Sequence, residues 1–397
     1  MDVQKEKWSS FFDQACAVSL YLLFFCIPFS SALVASFCGF VLLFFIGRLA
    51  VTKGLGARFL KSEPLLAFLF IALALSLINS GPFIFISLRA LFLKWAKYMV
   101  LYLIISQSLM TAPRIKYALI SFSAGAVLVI LDCFSQLFLN CEFLGQRHMV
   151  LHATQVLAVT GPFNHNNGLS VYLACMLIVI LYWVFSKATQ VMKSIAAVIF
   201  LSGIFILVHA YSRGGWIAFI VSIIVLACFL RRFWFLGFSL AVTLILGFKI
   251  NWLKFLAFKD SGRFELWAIT MRMIKDHPLL GNGIGAYMAW FRSFSSTRAI
   301  SYAHNCYLQL WAEAGLVALI VFLVFISKVC LEGVLLYRTT KDLVLAVLVC
   351  AILAYVCHSF FDTDLFSTSL GFLFWGLMGL LKASMYSRRG EYSPEVT

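Results

Sequence analysis

Three polar stretches stand out from an otherwise apolar chain: Tyr211-Ser212-Arg213-Gly214-Gly215-Trp216, Arg263-Phe264-Glu265-Leu266-Trp267, and His304-Asn305 running on to Glu313-Ala314-Gly315. A guanidinium is a planar fork that meets phosphate oxygens in pairs. A histidine titrates near neutral pH, so it is the ordinary side chain best suited to moving a proton there. Arginines and a histidine at the mouth of an apolar bundle therefore suit chemistry on a lipid-linked phosphate. The two glycines after Arg213 let the backbone turn tightly and approach a ligand. Compensation of a helix C-terminus, worth roughly 0.3–1 kcal/mol, would explain a cation at Arg213 but not the Arg-Gly-Gly turn beside Trp216.

Asn305, Gln309 and Glu313 follow His304 at four-residue spacing and so share one helix face. A polar stripe in a membrane span faces the bundle interior or a wet cavity. Asp132, Gln136 and Asn140 form a second stripe, and His358 with Asp362 an outer-end pair. Together they predict a polar cavity opening outward. A helix is expected from Arg263 to Asp276, stopped by His277-Pro278, with Arg263 and Trp267 placed for a cation–π contact. The following Gly281-Asn282-Gly283-Ile284-Gly285 has no preceding strand and no Lys-Ser/Thr after it, so it reads as a structural turn rather than a phosphate loop.

The elements that must position these groups are membrane helices. The chain has 397 residues, 63% of them hydrophobic and only 12% charged, with a mean hydropathy of +0.98, which excludes a soluble globular domain. Apolar runs recur at lengths that cross about 30 Å of hydrocarbon as helices, and they do not alternate as barrel strands would. About twelve spans are expected, the first retained because it has no small-residue cleavage site after its apolar run. Eighteen of the thirty-one Lys and Arg fall in loops on one side, which makes that side cytoplasmic and puts both termini there. Eight further basic residues lie between Lys249 and Arg298, in one long outer loop, against the topological bias. Arg89, Lys94 and Lys97 lie inside an apolar segment. Either they snorkel from a span, or residues 83–94 form an outer amphipathic helix before a shorter span. The eleven cysteines sit mostly in apolar runs, so no disulfide framework is expected. Cys141 and Cys306, in outer loops, are either bridged or two free thiols.

Gly161-Pro162-Phe163-Asn164-His165-Asn166-Asn167, Ser212-Arg213-Gly214-Gly215-Trp216, Gly262-Arg263-Phe264-Glu265-Leu266-Trp267 with the glycine turn, and His304-Asn305-x-Tyr307-Leu308 with Glu313-Ala314-Gly315-Leu316 occur in this order. The set resembles the O-antigen ligase superfamily, which includes WaaL-type ligases, Wzy-type polymerases and bacterial protein O-oligosaccharyltransferases. The resemblance implies an all-α polytopic protein of the bacterial inner membrane, acting in lipopolysaccharide biosynthesis. It would form a single bundle over 1–397, with a motif region at 160–316 and a small helical periplasmic loop subdomain, the catalytic loop, at 251–306. The implied activity is a metal-independent, cofactor-free, inverting glycosyl transfer at the periplasmic face. The donor would be an undecaprenyl-diphosphate-linked glycan and the acceptor a lipid A core hydroxyl or another glycan, with membrane lipids but no nucleic acid as further partners.

By motif, His304 would be the base and Arg213 and Arg263 would hold the diphosphate. Asn305, Gln309, Glu313, His165 and Trp267 are candidates for substrate binding. Arg292, Arg298 or Arg147 could supply a third phosphate arginine. A polymerase or a protein oligosaccharyltransferase would share the donor chemistry and differ in acceptor. A lipid-linked sugar transporter would instead place its ionisable groups near the midplane.

Overall fold

In lipid, every backbone N–H and C=O must find its partner inside the protein, and a helix does this within one segment. The computed structural model describes residues 2–52, 63–141, 143–144, 150–151, 157–249, 262–295 and 302–390, most of them helical. Arg147, Arg298 and the start of the expected 251–306 loop lie outside the described residues. The N-terminal part comprises α1 (Asp2–Cys26), α2 (Ser31–Val51), α3 (Pro64–Leu75), α4 (Ile84–Ala90), α5 (Lys97–Ser108) and α6 (Ala112–Leu139). There follow α7 (Asn166–Phe185), α8 (Gln190–His209), α9 (Arg213–Leu230), α10 (Phe233–Lys249), α11 (Arg263–Asp276) and α12 (Tyr287–Phe294). The last helices are α13 (Cys306–Thr340), α14 (Leu343–His358) and α15 (Thr368–Arg389). Val150–Leu151 and Leu157–Ala158 form one short antiparallel ladder.

Eight of these helices are long and apolar enough to cross a membrane. The shorter apolar helices at Pro64–Asn79, Phe233–Val242 and Leu343–His358 take three of the other expected spans. The fourth is a helical run from Ile84 to Ser108 that contains a π turn at Leu91–Ala96. The chain is thus an all-α, multi-pass membrane protein. Helices α7, α14 and α15 are buried along most of their length and form the centre, while α2 and α8 leave much of their apolar surface outward. Cys141 and Cys306 are not joined in a disulfide.

Helix α13 is longer than its expected span, 35 residues, or about 50 Å at the usual rise. Lys328 and Glu332 lie inside it and share an ion-pair cluster with Lys382 and Glu63. Asp13 with Arg48 and Arg114, and Asp342 with Arg388, make further pairs. The end carrying Asp342 is the far end of α13 from His304, so these acids are committed away from the polar motifs.

At Gly315, α13 breaks, with φ 82° and ψ 173°. The glycine turn repairs the break. Asn282 N and Gly283 N donate to Ala312 O and Glu313 O at 3.0 and 2.8 Å, and Leu316 N and Val317 N donate to Pro278 O and Leu279 O at 3.0 and 3.4 Å. This close approach needs bare backbone on both sides. A Cβ on Gly315 would lie 2.1 Å from Leu279 O, and one on Gly281 would lie 2.4 Å from Glu313 O. The turn is therefore structural, as its sequence suggested. It fixes α11 and α12 on the N-terminal end of α13, where Leu266, Ile269, Met273, Tyr287 and Phe291 close a small core of their own.

Gly315→Ala should lower the thermal unfolding midpoint of the detergent-solubilised protein clearly, because positive φ alone costs about 1–3 kcal/mol before the backbone overlap is counted. Gly39→Ala, in a helix with nothing within 4 Å of the new Cβ, should melt at or above the parent temperature.

Candidate active site

Four separated segments meet at one end of the bundle. Ser212 caps α9, its Oγ accepting from Gly215 N at 3.3 Å and donating to Asn167 Oδ1 at 2.9 Å. Asn167, in the first turn of α7, donates through Nδ2 to Asp362 Oδ2 at 2.7 Å. The other oxygen, Asp362 Oδ1, accepts from Thr363 N at 2.8 Å and lies 2.9 Å from His304 Nδ1. The result is a continuous chain, Ser212–Asn167–Asp362–His304.

Burial pushes the Asp362 carboxyl up, but the hydrogen bond and charge of His304, with His358 and the Thr363 N–H, hold it well below the usual carboxylate range. An ionised Asp362 can only accept, so His304 Nδ1 is the donor of this bond and Nε2 is left outside it. The His304 side chain remains 40% exposed and lines a cavity of ≈ 840 Å³ with Asn164, His165, Asn166, Asn167 and Asp362. That wall is rich in neutral hydrogen-bonding groups, the kind that engage sugar hydroxyls.

Arg213 opens α9 and Arg263 opens α11. Burial lowers Arg263 from the ordinary guanidinium value, the Asp362 charge opposes that fall, and Arg213 adds to it. Arg263 is thus within electrostatic reach both of Asp362, the carboxylate bonded to His304, and of Arg213.

His304 has φ +49°, an uncommon conformation for a residue with a side chain. Its neighbours hold it there. Trp267 Nε1 donates to Ala303 O at 3.1 Å, and Ala303 N donates to Gln309 Oε1 at 3.0 Å. Asn305 Oδ1 caps α13, accepting from Tyr307 N and Leu308 N at 3.0 Å each. Glu313 accepts from Gly285 N at 2.7 Å, Tyr287 N at 3.3 Å and Gln309 Nε2 at 3.1 Å. Asn305, Gln309, Glu313 and Trp267 therefore have polar atoms engaged in positioning His304 and the outer helices. The expected cation–π partner role of Trp267 gives way to edge-on packing against Phe264. The Asp132 and Gln136 stripe is likewise occupied: Asp132 accepts from Phe143 N and Leu144 N, and Gln136 from Thr160 N and Gly161 N.

The expected pairing of His358 with Asp362 is corrected. Helix α14 ends at His358 and the chain turns, so His358 Nδ1 meets Asp364 Oδ2 at 2.7 Å in the interior, and Asp362 is left for His304. Asn167 is thus the site residue that spacing did not single out, and Asp362 the one it paired with the wrong histidine. Asn167 stood in a quoted motif, but nothing there marked which asparagine bonds. His165 is exposed on the cavity wall, and Arg292 is exposed in the last turn of α12. Among the described residues, no group of three His, Cys, Asp or Glu side chains is placed to hold a metal ion.

No curated protein matches the chain. Residues 195–323 match the family model described as O-antigen ligase, a segment that runs from α8 into α13 and includes Arg213, Arg263 and His304. Over these residues the chain carries an O-antigen ligase domain, and this, in a multi-pass helical protein, supports its membership of the O-antigen ligase superfamily.

Proposed function

We propose that the protein transfers a glycan from an undecaprenyl-diphosphate carrier to a hydroxyl of a lipid A core acceptor, with inversion, at the periplasmic end of an inner-membrane bundle. The observation that carries this reading is the Ser212–Asn167–Asp362–His304 chain beside two arginines. His304 Nε2 takes the acceptor hydroxyl proton as that oxygen attacks the anomeric carbon opposite the diphosphate. The bond from the anomeric carbon to the diphosphate oxygen breaks, and the carrier diphosphate leaves with the electron pair. Asp362 then stabilises the imidazolium. Arg213 and Arg263 meet the charge that develops on the leaving group, an electrostatic role that needs no reorganisation when the donors are already fixed. The concentration of ion-paired acids at the opposite end, with the basic loops, supports a cytoplasmic location there and for both termini.

Purified protein given an undecaprenyl-diphosphate glycan and a lipid A core acceptor should form a lipid A conjugate. A longer lipid-linked glycan in its place would move the assignment to polymerisation. His304→Ala and Asp362→Asn should each lower the transfer rate by about 10²–10⁴, the usual worth of a general base. The double variant should be little worse than the weaker single one, since the pair acts as a unit. Full rates in both singles would remove His304 from the chemistry.

Arg213→Ala and Arg263→Ala should abolish transfer while the protein still melts cooperatively. Arg213→Lys should recover only part of it, because an ammonium lacks the bidentate fork. Addition of a chelator should leave the rate unchanged, and a strong loss would require a metal-dependent route.

A further inference from the structure

The run from Ile84 to Ser108 contains three cations that the transfer chemistry above does not use. In an α-helix, residues five apart point about 140° away from one another. The π turn at Leu91–Ala96, with its i to i+5 hydrogen bonding, brings Arg89 and Lys94 to one wall of a second cavity, of ≈ 530 Å³, that also receives Lys97. The sequence left these residues as either snorkelling or interfacial. Lys94 does neither, its Nζ donating inward to Phe366 O at 2.5 Å. Lys97 Nζ lies over the Phe372 and Tyr98 rings at 5.0 and 5.7 Å.

Among the described residues, none of these three cations forms an ion pair. Glu313 is the one acidic residue on the cavity wall, and its oxygens are engaged by Gly285 N, Tyr287 N and Gln309 Nε2. Cations in a membrane bundle are costly without a counter-charge and mark ligand paths. The same wall carries Ile86 and Leu93, which are also exposed on the outside of the bundle beside Phe85 and Phe92. A ligand with an anionic head and an apolar tail fits both halves. Tyr302, Phe366 and Thr368 line this cavity and the one containing His304, so the two spaces adjoin.

We propose that the cavity of Arg89, Lys94 and Lys97 binds the phosphate-bearing headgroup of a membrane lipid, as a second anion site beside that of Arg213 and Arg263. The shared chemistry is a lipid phosphate, carried either by a phosphorylated acceptor lipid or by the diphosphate carrier. The acceptor is the favoured occupant, since Arg213 and Arg263 already meet the carrier diphosphate. That choice of occupant rests on the proposed function. The site itself rests on three cations gathered on one cavity wall that holds a single carboxylate, Glu313.

The test is equilibrium binding by the purified full-length protein in detergent to lipid A, to undecaprenyl diphosphate and to dephosphorylated lipid A. The variants are Arg89→Gln and Lys97→Gln, with Arg213→Ala for the other site and thermal melts to show that each is folded. Arg89→Gln and Lys97→Gln should each weaken lipid A binding by about tenfold or more, the worth of one charge-assisted hydrogen bond. They should leave undecaprenyl diphosphate binding, which Arg213→Ala weakens, unchanged. Weakened undecaprenyl diphosphate binding with intact lipid A binding would overturn the acceptor as occupant and give the cavity to the carrier. Unchanged binding of both lipids, or equally tight binding of dephosphorylated lipid A, would overturn the site. If Arg213→Ala leaves undecaprenyl diphosphate binding intact, the proposed function fails, while the lipid A result still decides the cavity.

Discussion

A broken helix inside a membrane protein leaves backbone groups that lipid cannot satisfy, and the rest of the outer structure depends on how α13 solves this at Gly315. The Pro278–Gly283 backbone supplies donors to Ala312 and Glu313 and acceptors to Leu316 and Val317. One loop thereby becomes part of a transmembrane helix. Because the loop is fixed in this way, α11 cannot slide along α13, and Arg263 at its first turn is held to one place. Glu313 extends the join by capping Gly285 and Tyr287, so the turn, α12 and α13 form one rigid corner.

His304 stands one step away from this corner and inherits its rigidity. Its positive φ would be unfavourable in a free loop, but Trp267, Gln309 and Asn305 hold the backbone on both sides. The imidazole is then oriented from the opposite direction, by a carboxylate on the turn after α14. Ser212 and Asn167 tie that carboxylate to the start of α9, where Arg213 sits. His304 and the start of the helix that Arg213 opens are thus tied by a single hydrogen-bond chain, although they are far apart in sequence. Buried polar chains of this kind are costly when half satisfied and specifying when complete.

Much of the architecture was legible in the sequence because lipid simplifies the code: an apolar run must be a helix. Helix α11 was legible to its ends, since His277-Pro278 stops it and its apolar face repeats on a helical period. The length of α13 was not, because a lysine such as Lys328 reads as a loop residue when one of its partners, Glu63, lies hundreds of residues away in the chain. The polar stripe from Asn305 to Glu313 correctly marked a face turned away from lipid. Its role as scaffold could not be seen, since its partners are mostly backbone N–H groups, which every residue but proline possesses. Asp362 was misassigned for a related reason. Four-residue spacing from His358 presumes a continuing helix, and the chain turns there instead.

Charge separates the two ends of the bundle by a physical rule. At the end carrying Asp342, cations meet carboxylates and are neutralised locally. At the His304 end, the described acids Asp362, Asp364 and Glu313 are bonded to histidines or backbone N–H groups. Of the two adjoining cavities there, one is lined by Arg89, Lys94 and Lys97 and the other by His304, Asp362 and neutral polar groups. The shared wall of Tyr302, Phe366 and Thr368 is where two separately bound headgroups would come within reach of the same imidazole.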